Sequence, residues 1–377
     1  MVSEPKGDTY EEYDGYTQVQ ALGDVFGPGD RIYRRLGTSV PRPPPPTVLA
    51  GKARLKVTPR VAPLELRLIK IERALVYPRQ LIVNLRTGKP IFDSLRKPPP
   101  LGSLRDAPAP IEVDREHRVL RERIDRLVKA RKPKRLANAF HAAGKHMGYG
   151  HVLLESMSRL WGFEEVSPFV ECIIAPETTT GFARPLLAPF GATIRNTEIL
   201  GDQPFHCDNL IVPSQAFLLN TTIAAEVWPI YERIRGFYAP NPRTGRRLYV
   251  SRRFAEQRRM LGEDEIEAVF SSRGFEVIHP ERMTVEAQVA LFASAEWVAG
   301  PVGSGLYNAV FSNPGVRMIV LGSGNFHSRI ESLISRGVAV HYIFGSPSTQ
   351  DRREAMTMDW RMDPQIVRRA IASLDFG

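Results

Sequence analysis

From Arg247 to Gly322 the chain alternates short apolar runs with helical stretches, and this alternation constrains the fold more than any other feature. RLYVS (247–251), FEVIHP (275–280), AEWVAG (295–300) and RMIVLG (317–322) read as strands. Between them, helices are predicted over 263–273, from Thr284 to Ala293 and over 306–311. Thr284 is a good N-cap, and Glu286 in the first turn suits the helix dipole. Strands and helices alternating at this spacing predict a parallel, doubly wound sheet.

The upstream half is less regular. GHVLLESMSRLWG (150–162) reads as an amphipathic helix, and FVECIIAP (169–176) and HCDNLIVP (206–213) read as strands closed by proline. AAEVWPIYERIRGFY (224–238) reads as a helix that Pro229 either bends or starts late. ALVYPRQLIVNLRTGKPIFDS (74–94) alternates apolar runs with turn signals and predicts a small β-meander. APNPRTG (239–245) is the best linker in the chain. Sixteen of 31 prolines lie in the first 110 residues, with Pro41 and Pro43 to Pro46 forming a stiff polyproline segment. The expected organisation is a Pro-rich arm over 1–60, extended or partly disordered, and an N-terminal α/β domain over 61–238. A linker at 239–246 and a C-terminal α/β domain over 247–377 follow. Two such halves are expected to place a ligand in the cleft between them.

Composition narrows the partners. With 43% hydrophobic and 24% charged residues, a chain of 377 residues buries a sizeable core, which excludes wholesale disorder. Two cysteines, Cys172 and Cys207, supply neither a disulfide framework nor a four-cysteine zinc site, and they fit a reducing compartment. No apolar run reaches the ~18–20 residues of a membrane span, and the first residues lack the pattern of a signal peptide. A cytoplasmic protein is expected.

The net charge of +10 is unevenly spread: 18 basic residues against 11 acidic in 1–110, 18 against 15 in 111–246, and 15 against 15 in 247–377. The densest cluster, 115–135, holds 10 basic and 3 acidic residues, with Val119, Leu120, Ile124, Leu127 and Val128 at helical spacing. It reads as a solvated amphipathic helix. The sharper reading is peripheral association with an anionic membrane or an acidic acceptor. Nucleic acid is disfavoured, because the cluster has no aromatic ring for base stacking.

Three motifs carry possible chemistry. The loop GPVGSG (300–305) joins a strand to a helix, where glycines allow close approach and first-turn N–H groups favour an anion. It is neither a P-loop nor a dinucleotide fingerprint. Arg252, Arg253, Arg258 and Arg259 fall within eight positions after the first strand of the alternation, at the edge where doubly wound sheets bind ligands, and fork-shaped donors suit a diphosphate. His151 and Glu155, four apart, share a helix face on which the carboxylate orients the imidazole as a general base requires. Ser158 and Arg159 continue that polar stripe. No G-x-S-x-G elbow, H-E-x-x-H motif or D-x-D pair is present. The acidic run Glu263-Asp264-Glu265 reads as a helix start.

Taken together, GYGHVLLESMSRL, the long block from Arg247 to Gly300 and GPVGSGLYNAVF resemble, in order, the family 61 glycosyltransferases. That family includes capsular-polysaccharide-type enzymes, protein O-linked N-acetylglucosaminyltransferases and plant xylan-decorating transferases. The resemblance covers about 145–322, and the 74–94 segment and Asp359-Trp360 are also similar. It implies a GT-B-like α/β fold, two facing Rossmann-like domains with the donor mainly on the C-terminal one. It further implies an inverting transfer needing neither metal nor other cofactor, from a nucleotide sugar (a UDP-sugar favoured) to a hydroxyl of a saccharide or glycoconjugate. Under this resemblance Arg252, Arg253 and Arg258 neutralise the leaving diphosphate, and Gly303, Ser304 and Gly305 add backbone donors. Asn308 matches the asparagine after the loop, and His151 with Glu155 is the base. Val302 stands where the family loop usually has histidine, and Gly262 where it has asparagine before the acidic run. A nucleotide- or anion-binding protein of the same fold that has lost the donor chemistry therefore stays open as an alternative.

Overall fold

The computed structural model describes residues 10–13, 16–19, 31–36, 44–52, 64–78, 81–88, 91, 132–144, 146–178, 181–193, 196–326, 328–346, 349, 351 and 354–376. Most of the basic cluster (115–131), together with Pro41 and Pro43, lies outside these residues. No helix among the described residues is long and apolar enough to cross a membrane.

The chain forms two compact units. The division falls at Ile230/Tyr231, inside helix α1 (Trp228–Tyr238), and the 239–245 stretch expected to link two domains is a loop within the second unit. Pro229 occupies the first turn of α1, where its missing N–H has no intrahelical partner to lose. The late start was the correct one of the two expectations.

The first unit is built on a mixed nine-stranded sheet. In chain order its strands are β1 (Tyr10–Tyr13), β2 (Tyr16–Val19) and β3 (Arg31–Leu36), then, after β4 (Thr47–Ala50) of the second unit, β5 (Glu65–Val76) and β6 (Ile82–Asn84). There follow β7 (Lys134–His141), β8 (Cys172–Pro176), β9 (Thr197–Leu200) and β10 (Phe205–Pro213). Their order is β1-β2-β3-β5-β10-β7-β8-β9, with β6 on β5. β10, β7, β8 and β9 pair in parallel, whereas β5 pairs antiparallel with β10 and β3. The core beneath the sheet contains Ile69, Ile71, Leu136, Ile174, Phe205, Leu210 and Val212.

Two expectations change here. Within the described part of 1–60, β1 to β3 extend this sheet and β4 adds to the sheet of the second unit, so these residues are not an appended arm. Tyr, Val, Ile and Thr recur in these runs and favour extended backbone, and a sheet edge offers unpaired groups to any such segment. Of the predicted meander, the described residues show the hairpin in which Ala74–Val76 pair with Ile82–Asn84, and the Ile91 N–H bonds to the Ile82 carbonyl at 2.9 Å; residues 79–80, 89–90 and 92–94 lie outside the described residues. The last two basic residues of the 115–135 cluster open β7 rather than closing a helix, and each meets an acid: Lys134 with Glu198 at 2.6 Å and Arg135 with Asp208 at 3.0 Å.

The second unit follows the predicted alternation. Its strands are β11 (Arg246–Val250), β12 (Met260–Leu261), β13 (Glu276–Ile278), β14 (Ala295–Pro301), β15 (Arg317–Ser323), β16 (Val340–Gly345) and β17 (Trp360–Arg361). Six strands form one parallel sheet in the order β13-β11-β14-β15-β16-β4. In β14 and β15 nearly every residue is buried, as expected of strands covered on both faces. The helices are α2 (Glu263–Ser271), α3 (Val285–Ala293), α4 (Ile330–Ile334) and α5 (Pro364–Ile371). Thr284 caps α3 by accepting the Ala287 N–H at 3.3 Å, and Asp363 caps α5 by accepting that of Gln365 at 2.8 Å. The chain order runs outward from β11 both ways, so the topological switch point lies between β11 and β14.

Candidate functional site

The carboxyl end of β11 continues into Ser251-Arg252-Arg253, and that of β14 into the glycine loop. Gly300 has φ +153°, and a Cβ there would lie 2.4 Å from the Val250 carbonyl oxygen, so only glycine lets the two switch-point strands pass this closely. Val302 is buried and its N–H bonds to the Leu321 carbonyl at 2.8 Å, extending the β14–β15 ladder. Gly303 is extended (φ 167°), so conformation does not demand glycine, but space does. A Cβ would stand 2.2 Å from one terminal nitrogen of Arg252 and 3.0 Å from its guanidinium carbon. The guanidinium therefore lies directly against the loop backbone. A 3-10 helix, Ser304–Phe311, follows; the Leu306 N–H of its first turn bonds to the Gly303 carbonyl at 3.1 Å, and the two N–H groups before it precede the first intrahelical bond.

The four arginines separate into two pairs. Arg252 donates to the Gln257 carbonyl at 3.0 Å, and burial followed by the neighbouring Arg258 lowers its pKa. Arg258 is held at φ 56°, a strained setting for a side chain of this size. Its guanidinium lies 4.5 Å from the Phe326 ring centroid, and burial lowers its pKa too, with Tyr307 and Glu331 opposing. Two half-buried like charges, one of which lowers the pKa of the other, form a ready receptor for an anion. The other two are engaged by acids. Arg253 pairs with Glu267 on α2 at 3.0 Å, and Arg259 grips Asp359 through Nε at 3.0 Å and a terminal nitrogen at 2.7 Å.

Behind the converging pair stand two buried carboxyls. Glu263 accepts the Arg252 backbone N–H at 2.9 Å and the Tyr249 hydroxyl at 3.2 Å, and burial pushes its pKa up to about 7. Glu331, on α4 after β15, is fully buried and is likewise pushed up to about 7 by burial. Tyr307 lies within electrostatic reach of Glu331, Arg258 and Arg252, and burial raises its pKa. Sequence reasoning missed Tyr307, Glu331 and Phe326, since none belongs to a cluster of charged or polar residues. The available signal was position, because all three follow strand ends of the parallel sheet. Asn308, expected to touch substrate, is fully buried; its amide donates to Gln288 at 2.8 Å and to the Gly305 carbonyl at 3.2 Å, bracing the loop from within.

In the first unit the histidine segment is not a regular helix. Tyr149–His151 form one α-turn, Val152–Ser156 a π-turn and Met157–Gly162 a 3-10 turn, and every residue from Val152 to Gly162 is buried. The expected polar stripe is corrected accordingly. Ser158 is buried and bonds back to the Glu155 carbonyl at 2.9 Å, and the buried Arg159 donates to the Pro213 carbonyl. Trp161 Nε1 donates to the Ser214 carbonyl at 2.9 Å. These ties leave only one end of the segment exposed. There His151 Nδ1 meets Glu155 Oε2 at 2.6 Å, the imidazole about one-third exposed and the carboxylate 5% exposed. An ionised Glu155 keeps the proton on Nδ1 and leaves the Nε2 lone pair as the base. His146 stacks on this ring at 4.4 Å and 31°.

Thus His151 and Glu155 are joined in the first unit, and Arg252, Gly303 and Arg258 converge in the second. No group of three or more His, Cys, Asp or Glu residues able to hold a metal occurs among the described residues. Residues 149–319 match the family model described as Glycosyltransferase 61. No curated protein matches the chain.

Proposed function

Because the chain carries a glycosyltransferase family 61 domain over residues 149–319, we propose that it is an inverting glycosyltransferase moving a sugar from a nucleotide sugar, UDP-linked by preference, to a hydroxyl of a saccharide or glycoconjugate. The observation that carries this reading is the Arg252 guanidinium lying against Gly303 at the switch point, with Arg258 beside it. In the transfer, the acceptor oxygen forms the new bond to the anomeric carbon while the bond to the diphosphate breaks, and negative charge grows on the leaving phosphate. Donors preorganised at that position lower the barrier most. The two guanidiniums provide this charge without a metal, and His151 Nε2 takes the acceptor's proton, with Glu155 holding the ring. The polysaccharide or glycoconjugate setting and a cytoplasmic location, with the basic cluster against an anionic membrane face, belong to the same proposal.

The test is turnover of a UDP-sugar panel, with GDP-sugars alongside, by the purified full chain with and without chelator. Arg252→Ala is expected to lower turnover by about 10²–10³-fold. Undiminished turnover in that variant would remove the arginine assignment. Loss of activity with chelator would remove metal independence.

A further inference from the structure

Phe254 lies two residues beyond Arg252 in the loop after β11 and is 42% exposed. One face of its ring is taken, since the Arg282 guanidinium carbon sits 3.4 Å from the centroid. Its contact with His279 is edge-on, with centroids 4.9 Å apart and planes at 65°. With the guanidinium over one face, the exposed part of the ring lies away from it. A lone exposed phenylalanine needs no explanation. This one is held by a cation over one face and by an imidazole in a T-shaped contact, and much of the remaining ring surface is exposed.

Its surroundings connect it to the anion pair. His279 and the turn Pro280–Arg282 follow β13, the strand next to β11. The same turn packs on the glycine loop, since a Cβ on Gly305 would lie 3.7 Å from Pro280. Gln288 joins the two, donating to the Pro280 carbonyl at 2.9 Å while accepting from Asn308. Glu281, between Pro280 and Arg282, acts electrostatically on Arg252. Ring platform and guanidinium pair are thus neighbouring parts of one strand edge within the second unit.

We propose that the open face of Phe254 stacks the nucleobase of a nucleoside diphosphate whose phosphates lie at Arg252 and Arg258. This rests on the donor reading above. Every base has a π-face, and offset stacking on a benzyl ring requires no particular hydrogen-bond pattern. A nucleoside places one ribose between base and phosphate, and ring and guanidinium pair stand on the same loop after β11. A ring without a polar atom discriminates poorly between bases, so uridine and guanosine diphosphates should depend on it alike.

Isothermal titration of the full chain with UDP, GDP and inorganic pyrophosphate tests this. Wild type, Phe254→Ala, Phe254→Tyr and Arg252→Ala are compared. Phe254→Ala is expected to weaken nucleoside diphosphate binding by about tenfold or more while leaving pyrophosphate within twofold. Phe254→Tyr retains both, and Arg252→Ala weakens all three ligands. Equal loss for pyrophosphate and UDP in Phe254→Ala, or no loss for either, overturns the stacking role while the arginine assignment stands. Wild-type binding of pyrophosphate but of no nucleoside diphosphate also overturns it. If the wild type binds none of the three, the donor reading itself fails and the stacking role goes with it.

Discussion

The histidine segment of the first unit and the arginine–glycine edge of the second reach polar function by opposite routes. At the edge, backbone topology does the positioning. Parallel strands end together, the loops after β11 and β14 meet at the switch point, and Gly303 admits a guanidinium to within contact of the main chain. In the histidine segment, side-chain burial does it. The polar residues after His151 turn inward, Glu155 and Arg159 are sequestered, and only the imidazole emerges. At the edge burial lowers the pKa of both guanidiniums, whereas the imidazole is oriented by one carboxylate fixed in the interior.

The largest expected effects break this comparison cleanly. His151→Ala should lower transfer by about 10²–10⁴-fold, the range of a lost general base, while leaving donor affinity by titration within twofold. If donor affinity falls equally, the imidazole belongs to donor binding and the division of labour between the two regions is wrong. Glu155→Gln keeps the shape but removes the charge that orients the ring, so kcat should fall while KM for donor holds.

Next comes Gly303→Ala. The extended backbone there accepts alanine without strain, so the single obstacle is the Arg252 guanidinium 2.2 Å from the new Cβ. The variant should unfold at the wild-type midpoint in urea and lose nucleoside diphosphate affinity by about tenfold, the scale of one charge-assisted contact. Gly300→Ala should do the reverse and destabilise the fold, because both its φ and the Val250 carbonyl forbid a Cβ. Identical behaviour of the two variants would mean the loop is merely a tight turn.

Much of the second unit was legible because its parallel strands read as unbroken apolar runs and its helices announce themselves through Thr284 and the Glu263–Glu265 run. Strand β4 was not legible. TVLA sits beside a proline segment and finds its partner about 290 residues later in β16, a pairing no local pattern encodes. The histidine segment misled for another reason. Helical periodicity reads one apolar stripe, but this stretch is buried all round and changes pitch twice, so Ser158 and Arg159 look exposed when they are not. Within the site, clustering pointed to four arginines, yet residue type alone does not separate Arg252 and Arg258 from two neighbours already paired with acids. Asn308 shows the converse, a polar residue in a motif whose partners are all inside the protein.

A smaller effect sharpens the electrostatic half of the comparison. Glu263 and Glu331 both have folded pKa values near 7, above the ordinary 4.5. A raised carboxyl pKa means the folded state holds the proton more tightly than the unfolded chain. The resulting stability is fully present below about pH 4.5 and is lost as pH rises toward 7. Each such group is worth at most about 3 kcal/mol, with neighbouring guanidiniums offsetting part. Urea unfolding from pH 5 to 8 should therefore show wild-type stability falling with pH over this window, and Glu331→Gln should flatten the fall. An unchanged slope in that variant would place the proton elsewhere, and the carboxyl behind Arg258 would then be ionised throughout.

The smallest expected effect is the most discriminating among the arginines. Arg259 donates twice from its guanidinium to one oxygen of Asp359 beside the short β12–β17 ladder, where Met260 and Leu261 run parallel to Trp360 and Arg361. The Arg259 side chain is half exposed, so solvent screens the pair, and Arg259→Ala should cost only about 0–1 kcal/mol of stability. Its guanidinium is already engaged by a carboxylate, so nucleoside diphosphate affinity should stay within twofold of wild type. Arg252→Ala, seven positions earlier in the same basic run, should weaken that binding by about tenfold or more. Two substitutions of the same residue type in one cluster then differ only in whether an acid of the protein or an anion from outside occupies the fork. Comparable losses in both would show that bulk positive charge, and not the convergence of Arg252 and Arg258 at Gly303, draws the anion to this edge.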